Sequence, residues 1–432
     1  MKAFKNVHLV TCDEDFHIYG EGLLVVDGAE LAYVGAYDAS WEARAEEVVD
    51  YEGAWIMPGL VNVHTHNAMT LLRGISDDEN LHDWLEKSIW PAESQFTPEI
   101  TTTAVELAML EMLQSGTTTF NDMYNPSGME IARIHQVVSQ AGMRCYFSPT
   151  LFSNPAETVE QTLERTRGII QEILSYEDEN FQTMVAPHAP YTCSEELLRG
   201  SLALAQEFDL PLHIHVAETQ AESQMMLERT GRRPLAYLQD LGYLDHPAVF
   251  AHSLDLTEEE ITLLAQSPVA VAHNPISNLK LASGIAPVAQ LLEAGATVGL
   301  ATDSVASNNN LDLFEEVRTA ALLQKMVHGD ARKMPISQVL QALTIGGAKA
   351  LGMGDRIGSL DVGKQADFIV IDPRKKAHLY PVDKMLSHLV YAVKGSDVDQ
   401  VYIAGRQVVR DGQVLTIDQE SVFEKIERIW KK

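Results

Sequence analysis

Cysteine is scarce: Cys12, Cys145 and Cys193 are the only three in 432 residues. An odd and sparse set cannot supply a disulfide framework and fits a reducing compartment, so the sequence reads as cytoplasmic. Cys193 lies near a histidine, yet a buried thiol is the simpler reading than a nucleophile. Basic residues are also few, 32 Lys plus Arg against 61 Asp plus Glu, a formal charge of −29. A surface that acidic repels phosphate backbones and anionic lipid, which sets aside nucleic acid and membrane as partners. No apolar run reaches the length of a membrane span. The N-terminal MKAFKNVHLVTCDEDFH carries acids early and has no long apolar stretch, so it is not a signal peptide. Gln/Asn tracts and Ser/Gly runs are missing too, and 46% hydrophobic content is ample for a large core.

What is present falls into three parts. The first 55 or so residues read as short strands and turns (NVHLVT, GLLVVDG, LAYVGAY), and the C-terminal end repeats that character in ADFIVIDP and VDQVYIAGRQVV. Two β-rich ends around a different middle predict one small β-sandwich domain built from residues 1–56 and 362–432. The middle, 57–361, alternates apolar β runs with helical stretches, the pattern of a parallel α/β fold. Eight candidate strands are IMPGLVNVH, TTTFNDM, RCYFSPT, FQTMVAPH, LPLHIHV, AVFAHS, VAVAHN and ATVGLATD. The predicted fold is a (β/α)8 TIM-like barrel with that terminal domain attached; barrels of this length are ordinary single units.

The strand ends carry the chemistry. They are His64 or His66, Asp122, Pro149 or Thr150, His188, His215, His252, His273 or Asn274, and Asp303. In a parallel barrel these ends converge on one mouth. The segment from about Asn67 to Pro98 exceeds a normal connection and holds LHDWLEKSIWPAE, a candidate lid or wall over that mouth.

His64 and His66, at i and i+2 of a strand, share a face and form a metal clamp. Alone, such a pair is weak evidence. Joined by His215 and Asp303 it becomes three imidazoles and one carboxylate, a set suited to one divalent ion, zinc or another first-row metal. A bound ion of this kind lowers the pKa of water to about 7. Asp303 can then hold the ion and accept the water proton, His252 can orient the attacking oxygen, and Glu218 can shuttle a proton to a heterocycle nitrogen and the leaving group. The plain alternative for Glu218 is a solvated carboxylate at a helix start. His213 reads as a supporting residue one level deeper, His273 as a loop former, and Asn308 to Asn310 as a turn and helix-cap region.

PGLVNVHTH, APHAPYTC, HIHVAET, AHSLDL, HNPISNLKLASGIAPV and GLATDSVASNNNLD together resemble the amidohydrolase superfamily, most closely its 5-methylthioadenosine / S-adenosylhomocysteine deaminases, with guanine deaminases and triazine chlorohydrolases nearby. The resemblance runs from about Ile56 to Asp372. It implies that His64, His66, His215 and Asp303 ligate one zinc, or iron, and that Glu218, His252 and Asp303 are catalytic. It implies substrate contacts from Glu93, on ribose hydroxyls, and from His188, Glu218, Asp303 and Trp84, the last on the adenine side. The implied reaction replaces the 6-amino group of a nucleoside, a small-molecule partner, with oxygen and releases ammonia. The alternative is hydrolysis of another amino-heterocycle, guanine or a triazine. A scaffold barrel with a vestigial site would differ from both by lacking bound metal. The family's Arg after the third strand, which helps hold the substrate tail, has no match in YFSPTLFSN, and Arg144 and Arg165 are not obvious substitutes. That departure disfavours S-adenosylhomocysteine, whose tail carries a carboxylate. The cytidine-type deaminase fold is excluded because its PCxxC motif does not occur. A homo-oligomer built on side helices stays open, with no patch in the sequence to name.

Overall fold

A computed structural model describes residues 1–124 and 128–430. Eight parallel strands form the central barrel: β1 (Leu60–Thr65), β2 (Thr117–Tyr124), β3 (Arg144–Leu151), β4 (Phe181–Gln182 resuming at Ala186–Pro187), β5 (Leu212–Val216), β6 (Ala248–His252), β7 (Val269–His273) and β8 (Thr297–Leu300). They pair as two parallel sets, β1 to β4 and β5 to β8. Single parallel bridges join the sets, Val185 with Leu212 on one side and Thr65 with Asp303 on the other. The second bridge closes the barrel, and its Asp303 N–H donates to the His64 carbonyl at 3.1 Å. Closure and site assembly are therefore one event.

Residue size explains the strands. In β6 and β7, Val249, Ala251, Ala270 and Ala272 fall in one compact cluster, while the alternate Phe250, Val269 and Val271 join the large core between strands and helices. Small residues on one face and larger ones on the other let eight strands close around a filled interior. His213 and His215 pair in register with Val249 and Ala251, so both face that interior.

Both termini build the second sheet. Its eight strands run Gln413–Val414, Arg406–Arg410, Gln400–Ile403, Phe368–Ile371, Glu47–Pro58, Lys2–Val10, Ile18–Asp27 and Glu30–Ala36. The long Glu47–Pro58 strand joins the two ends, parallel to Lys2–Val10 and antiparallel to Phe368–Ile371. The expected sandwich takes the form of one continuous sheet curled over its own apolar face, where Phe368 stacks on Tyr402 at 4.5 Å and Phe4 meets both edge-on at 5.3 Å between centroids. The curl is held where Glu30 bridges Gln365 and the Ala366 N–H reaches Ala29 O at 2.8 Å.

Arg144 ties the sheet to the barrel. It enters β3 fully buried and forms a two-pronged ion pair with Asp367, with Gln365 as a further acceptor. Among the described residues no helix is long and apolar enough to cross a membrane.

Candidate active site

Three imidazole nitrogens and one carboxylate converge at the barrel mouth. The Nε2 atoms of His64 and His66 each lie 3.3 Å from Asp303 Oδ1, and His215 Nε2 lies 3.4 Å from His66 Nε2. Each ring is held from behind. His66 Nδ1 donates to Met123 O at 2.6 Å, and His215 Nδ1 donates to His188 O at 2.7 Å. Those carbonyls put the protons on Nδ1 and leave Nε2 free to ligate. His64 Nδ1 rests 2.8 Å from His213 Nε2, the supporting role expected of His213. On the far side of Asp303, Oδ2 accepts from Ser277 Oγ at 2.6 Å and Ser307 Oγ at 3.3 Å.

The donor set fits a divalent cation. Among the described residues His64 Nε2 is buried without a hydrogen-bond partner, an expensive state for an imidazole that binds nothing. Burial pushes His64 and His215 below the usual imidazole range, so they stand as neutral donors. Burial alone would raise the Asp303 carboxyl, but His64 and His66 together outweigh it and hold it well below the usual carboxylate range.

His252 also approaches this group, since its ligating atom lies within 4.8 Å of those of His64 and Asp303. Its tautomer separates it from the ligands. The side-chain amides of Asn274 and Asn278 lie 3.1 and 2.9 Å from His252 Nδ1 and donate to it. Nδ1 is then an acceptor, so Nε2 carries the proton and points toward Glu218 Oε2, 3.7 Å away. Burial lowers His252 to about 3, keeping it neutral. Glu218 is displaced oppositely: burial, then the charges of Asp303 and Glu222, raise its carboxyl well above the usual range. A neutral imidazole donor beside a protonated carboxyl is an arrangement for proton delivery.

The cavity above holds about 590 Å³. His66, Trp84, Glu93, His188, His215, Glu218, His252 and Asp303 all line it, while His64 lies beneath, fully buried. The residues expected to hold metal, contact substrate or move protons thus gather in one place. The long insertion forms a wall: helical turns Leu81–Trp84, Leu85–Ile89 and Trp90–Glu93 follow one another and bring Trp84 and Glu93 to the cavity. Burial raises Glu93, and the Tyr124 hydroxyl pulls it back. His188 Nδ1 lies 3.0 Å from Thr192 Oγ1, whose own proton goes to Ala189 O, so His188 Nε2 is left as an acceptor. Phe152 stacks on the His188 ring at 4.4 Å.

Backbone strain gathers at the same mouth. Ala217, His252, Ser253 and Asp303 all have φ between 50° and 74°, a region non-glycine residues rarely occupy. Each sits at or just past a strand end, where the chain must turn sharply to aim a side chain inward.

A sequence profile of the amidohydrolase family matches residues 55–408. The chain belongs to the amidohydrolase family. This amidohydrolase is 47% identical over 427 residues to a Bacillus cytotoxicus protein named 5-methylthioadenosine/S-adenosylhomocysteine deaminase, covering 98% of this chain and 97% of that one. Its fold is similar to that of a zinc-bound adenosine deaminase from Xanthomonas campestris, with a TM-score of 0.93 at 36% identity, covering 100% and 97% of the two chains. Atrazine chlorohydrolase from Arthrobacter aurescens, a zinc complex, shares the fold at 22% identity and a TM-score of 0.89, covering 99% and 100%.

Sequence reasoning missed Asn278, Ser277 and Glu222, which hold the amidohydrolase site from behind, and gave Asn274 only as an alternative strand end. HNPISN places two amides at i and i+4 on one turn of helix, which was the available signal. His273 is buried at the end of β7, does not line the cavity, and among the described residues has no hydrogen-bond partner on either ring nitrogen. The helix at Leu313–His328 is capped by Asp312 rather than by the Asn run; Asn308 instead donates to Thr302 O and to buried Glu316. Cys193 is a buried thiol against Leu151 O, pushed up by burial and unsuited to attack.

Proposed function

We propose that this amidohydrolase is a zinc-dependent deaminase of 5′-thio-substituted adenosines, with 5-methylthioadenosine preferred, acting in the cytoplasm. The observation that carries the reading is the quartet His64, His66, His215 and Asp303 facing Glu218 and His252 across a cavity rimmed by Glu93. The names of the Bacillus relatives and of the zinc-bound Xanthomonas enzyme support the substrate class and the metal.

The quartet would hold the ion, which when bound supplies Lewis acidity and makes water a nucleophile at neutral pH. Asp303, held ionised, takes the proton of the attacking water. Glu218 delivers its proton to the ring nitrogen beside the amino-bearing carbon, which makes that carbon electrophilic. His252 donates from Nε2 to the oxygen that adds there. Glu218, recharged by the proton of the added hydroxyl as that oxygen becomes the carbonyl, then protonates the departing amine; ammonia leaves, and the proton held by Asp303 restores Glu218. His188 and Trp84 orient the base, and Glu93 accepts from ribose hydroxyls.

The cavity also bears on the tail. Among the described residues lining it none is Lys or Arg, whereas Glu93, Glu218 and Asp303 are acidic. Arg144 is occupied by Asp367, and Arg165 pairs with Glu157 at the surface. A homocysteine carboxylate would find no cation here. Losing a hydrogen bond to a charged group is worth about 10- to 100-fold, so kcat/KM for 5-methylthioadenosine should exceed that for S-adenosylhomocysteine by about that factor. Steady-state assays on both thioethers check it, and equal or reversed preference would refute the tail argument. Glu93→Ala should abolish turnover of nucleosides but not of free bases; a wild-type protein that turns over guanine or a triazine faster than any nucleoside would favour the alternative reading.

A further inference from the structure

Glu222 is buried, forms no salt bridge among the described residues, and has no part in the mechanism above. It is the third residue of the helix Gln220–Thr230, which Thr219 caps by accepting the Glu222 N–H at 3.0 Å. Two other helices start the same way and show what such a glutamate or glutamine ordinarily does. Gln161 reaches back to the N–H of its cap residue Thr158 at 2.9 Å, and Glu260 to that of Thr257 at 2.8 Å. Each closes a normal reciprocal capping box. Glu222 reaches further. Its Oε2 accepts the N–H of Glu218 at 2.8 Å, and its Oε1 accepts the N–H of Ala217 at 3.1 Å.

Those two amides lie just past the end of β5, where the sheet ladder has stopped and Ala217 turns through a φ of 50°. The opposite edge of the turn is also pinned. Leu254 and Asp255 donate to Ala217 O at 3.0 and 3.1 Å, and Ser253 donates to Val216 O at 2.9 Å. A buried turn with unpaired N–H groups would relax. The carboxylate takes both, one per oxygen, on the side that the β6 loop does not reach. We propose that Glu222 is a positioning residue: its carboxylate grips the backbone of Ala217 and Glu218 and so fixes the Glu218 carboxyl opposite His252. This rests on Glu218 being the proton carrier. Substituents that carry protons need placement within a fraction of an ångström, and a misplacement of about 1 Å can cost about 10²-fold in rate.

The test uses the metal-loaded, full-length enzyme with 5-methylthioadenosine as probe, recording kcat, KM, metal content and unfolding midpoint. Glu222→Gln keeps the size but turns one acceptor into a donor facing an N–H. Glu222→Ala removes both acceptors. The expected result is a kcat reduced about 10-fold in the first and about 10²-fold in the second, with KM and metal per chain unchanged. Thr219→Ala breaks only the ordinary cap and should lower the unfolding midpoint while leaving kcat intact. Wild-type kcat in folded Glu222→Gln would overturn the proposal, as would a kcat that falls only in step with metal content. If Glu222→Ala does not fold, Glu222→Gln decides alone. Glu218→Gln serves as reference: if it stays active the proton-carrier reading fails and takes this proposal with it. If it is inert while Glu222→Gln is unaffected, only the positioning role falls.

Discussion

Glu218→Gln should lower kcat for 5-methylthioadenosine by about 10²- to 10⁴-fold, the span general acid–base catalysis supplies. Glutamine preserves the volume and the neutral state that the site already favours, because burial and the charges of Asp303 and Glu222 keep the glutamate protonated. What it removes is the ability to give up and regain a proton. Glu218 is not one of the four proposed metal donors, so metal content should stay at the wild-type level. Substrate binding should change little, and stability should hold or rise, since a carboxyl that is only 6% exposed has been replaced by an amide. Steady-state kinetics with metal analysis on the same sample would check this. Near-normal kcat would mean that another group carries the proton, and His252 is poorly suited, because Asn274 and Asn278 fix its Nδ1 as an acceptor.

The second large effect is on stability. Arg144→Ala should reduce the unfolding free energy by about 3–5 kcal/mol, the usual result of breaking a buried ion pair from one side. The arginine is 1% exposed and Asp367 3%. Arg144 Nη2 lies 3.2 Å from Asp367 Oδ1, the atom that also accepts the Ala404 N–H at 2.7 Å. Deleting the guanidinium leaves that carboxylate uncompensated between barrel and terminal sheet. Replacing both partners with apolar residues should recover much of the loss, because neither charge is then stranded. Chemical denaturation of the two single variants and the double variant measures it. The pair sits at the start of β3, the end of the barrel opposite the mouth, so kcat of the folded Arg144→Ala protein should match wild type. A drop in kcat/KM confined to S-adenosylhomocysteine would instead make Arg144 the tail-binding cation.

The candidate metal donors were legible because strand periodicity is simple. His64 and His66 share parity, His215 and Asp303 end apolar runs, and a parallel barrel brings such ends together. The supporting residues were harder to see. Asn274 and Asn278 reach His252 from the loop after the next strand, and Glu222 reaches back past its own cap. Neither contact follows from local periodicity: the first depends on how closure sets the end of β7 against the end of β6, the second on a side chain reaching four and five residues back. Continuity was overestimated in FQTMVAPH, which reads as one strand but breaks between Gln182 and Ala186. The Asn run before Leu313 looked like a cap because Asn favours such positions, yet buried Glu316 offers Asn308 a stronger partner and leaves capping to Asp312. At the termini, alternation revealed strands but not their connection; the long Glu47–Pro58 strand makes one curled sheet of the two ends.

The most direct test is ammonia release from 5-methylthioadenosine by the purified protein as isolated, after chelation, and after zinc is restored. The account predicts about one ion per chain, rates that vanish with the metal and return with zinc, and the inosine-type product in equal amount to ammonia. Unchanged release from metal-free protein would contradict it. So would a zinc-loaded protein that leaves 5-methylthioadenosine intact while hydrolysing guanine or a triazine.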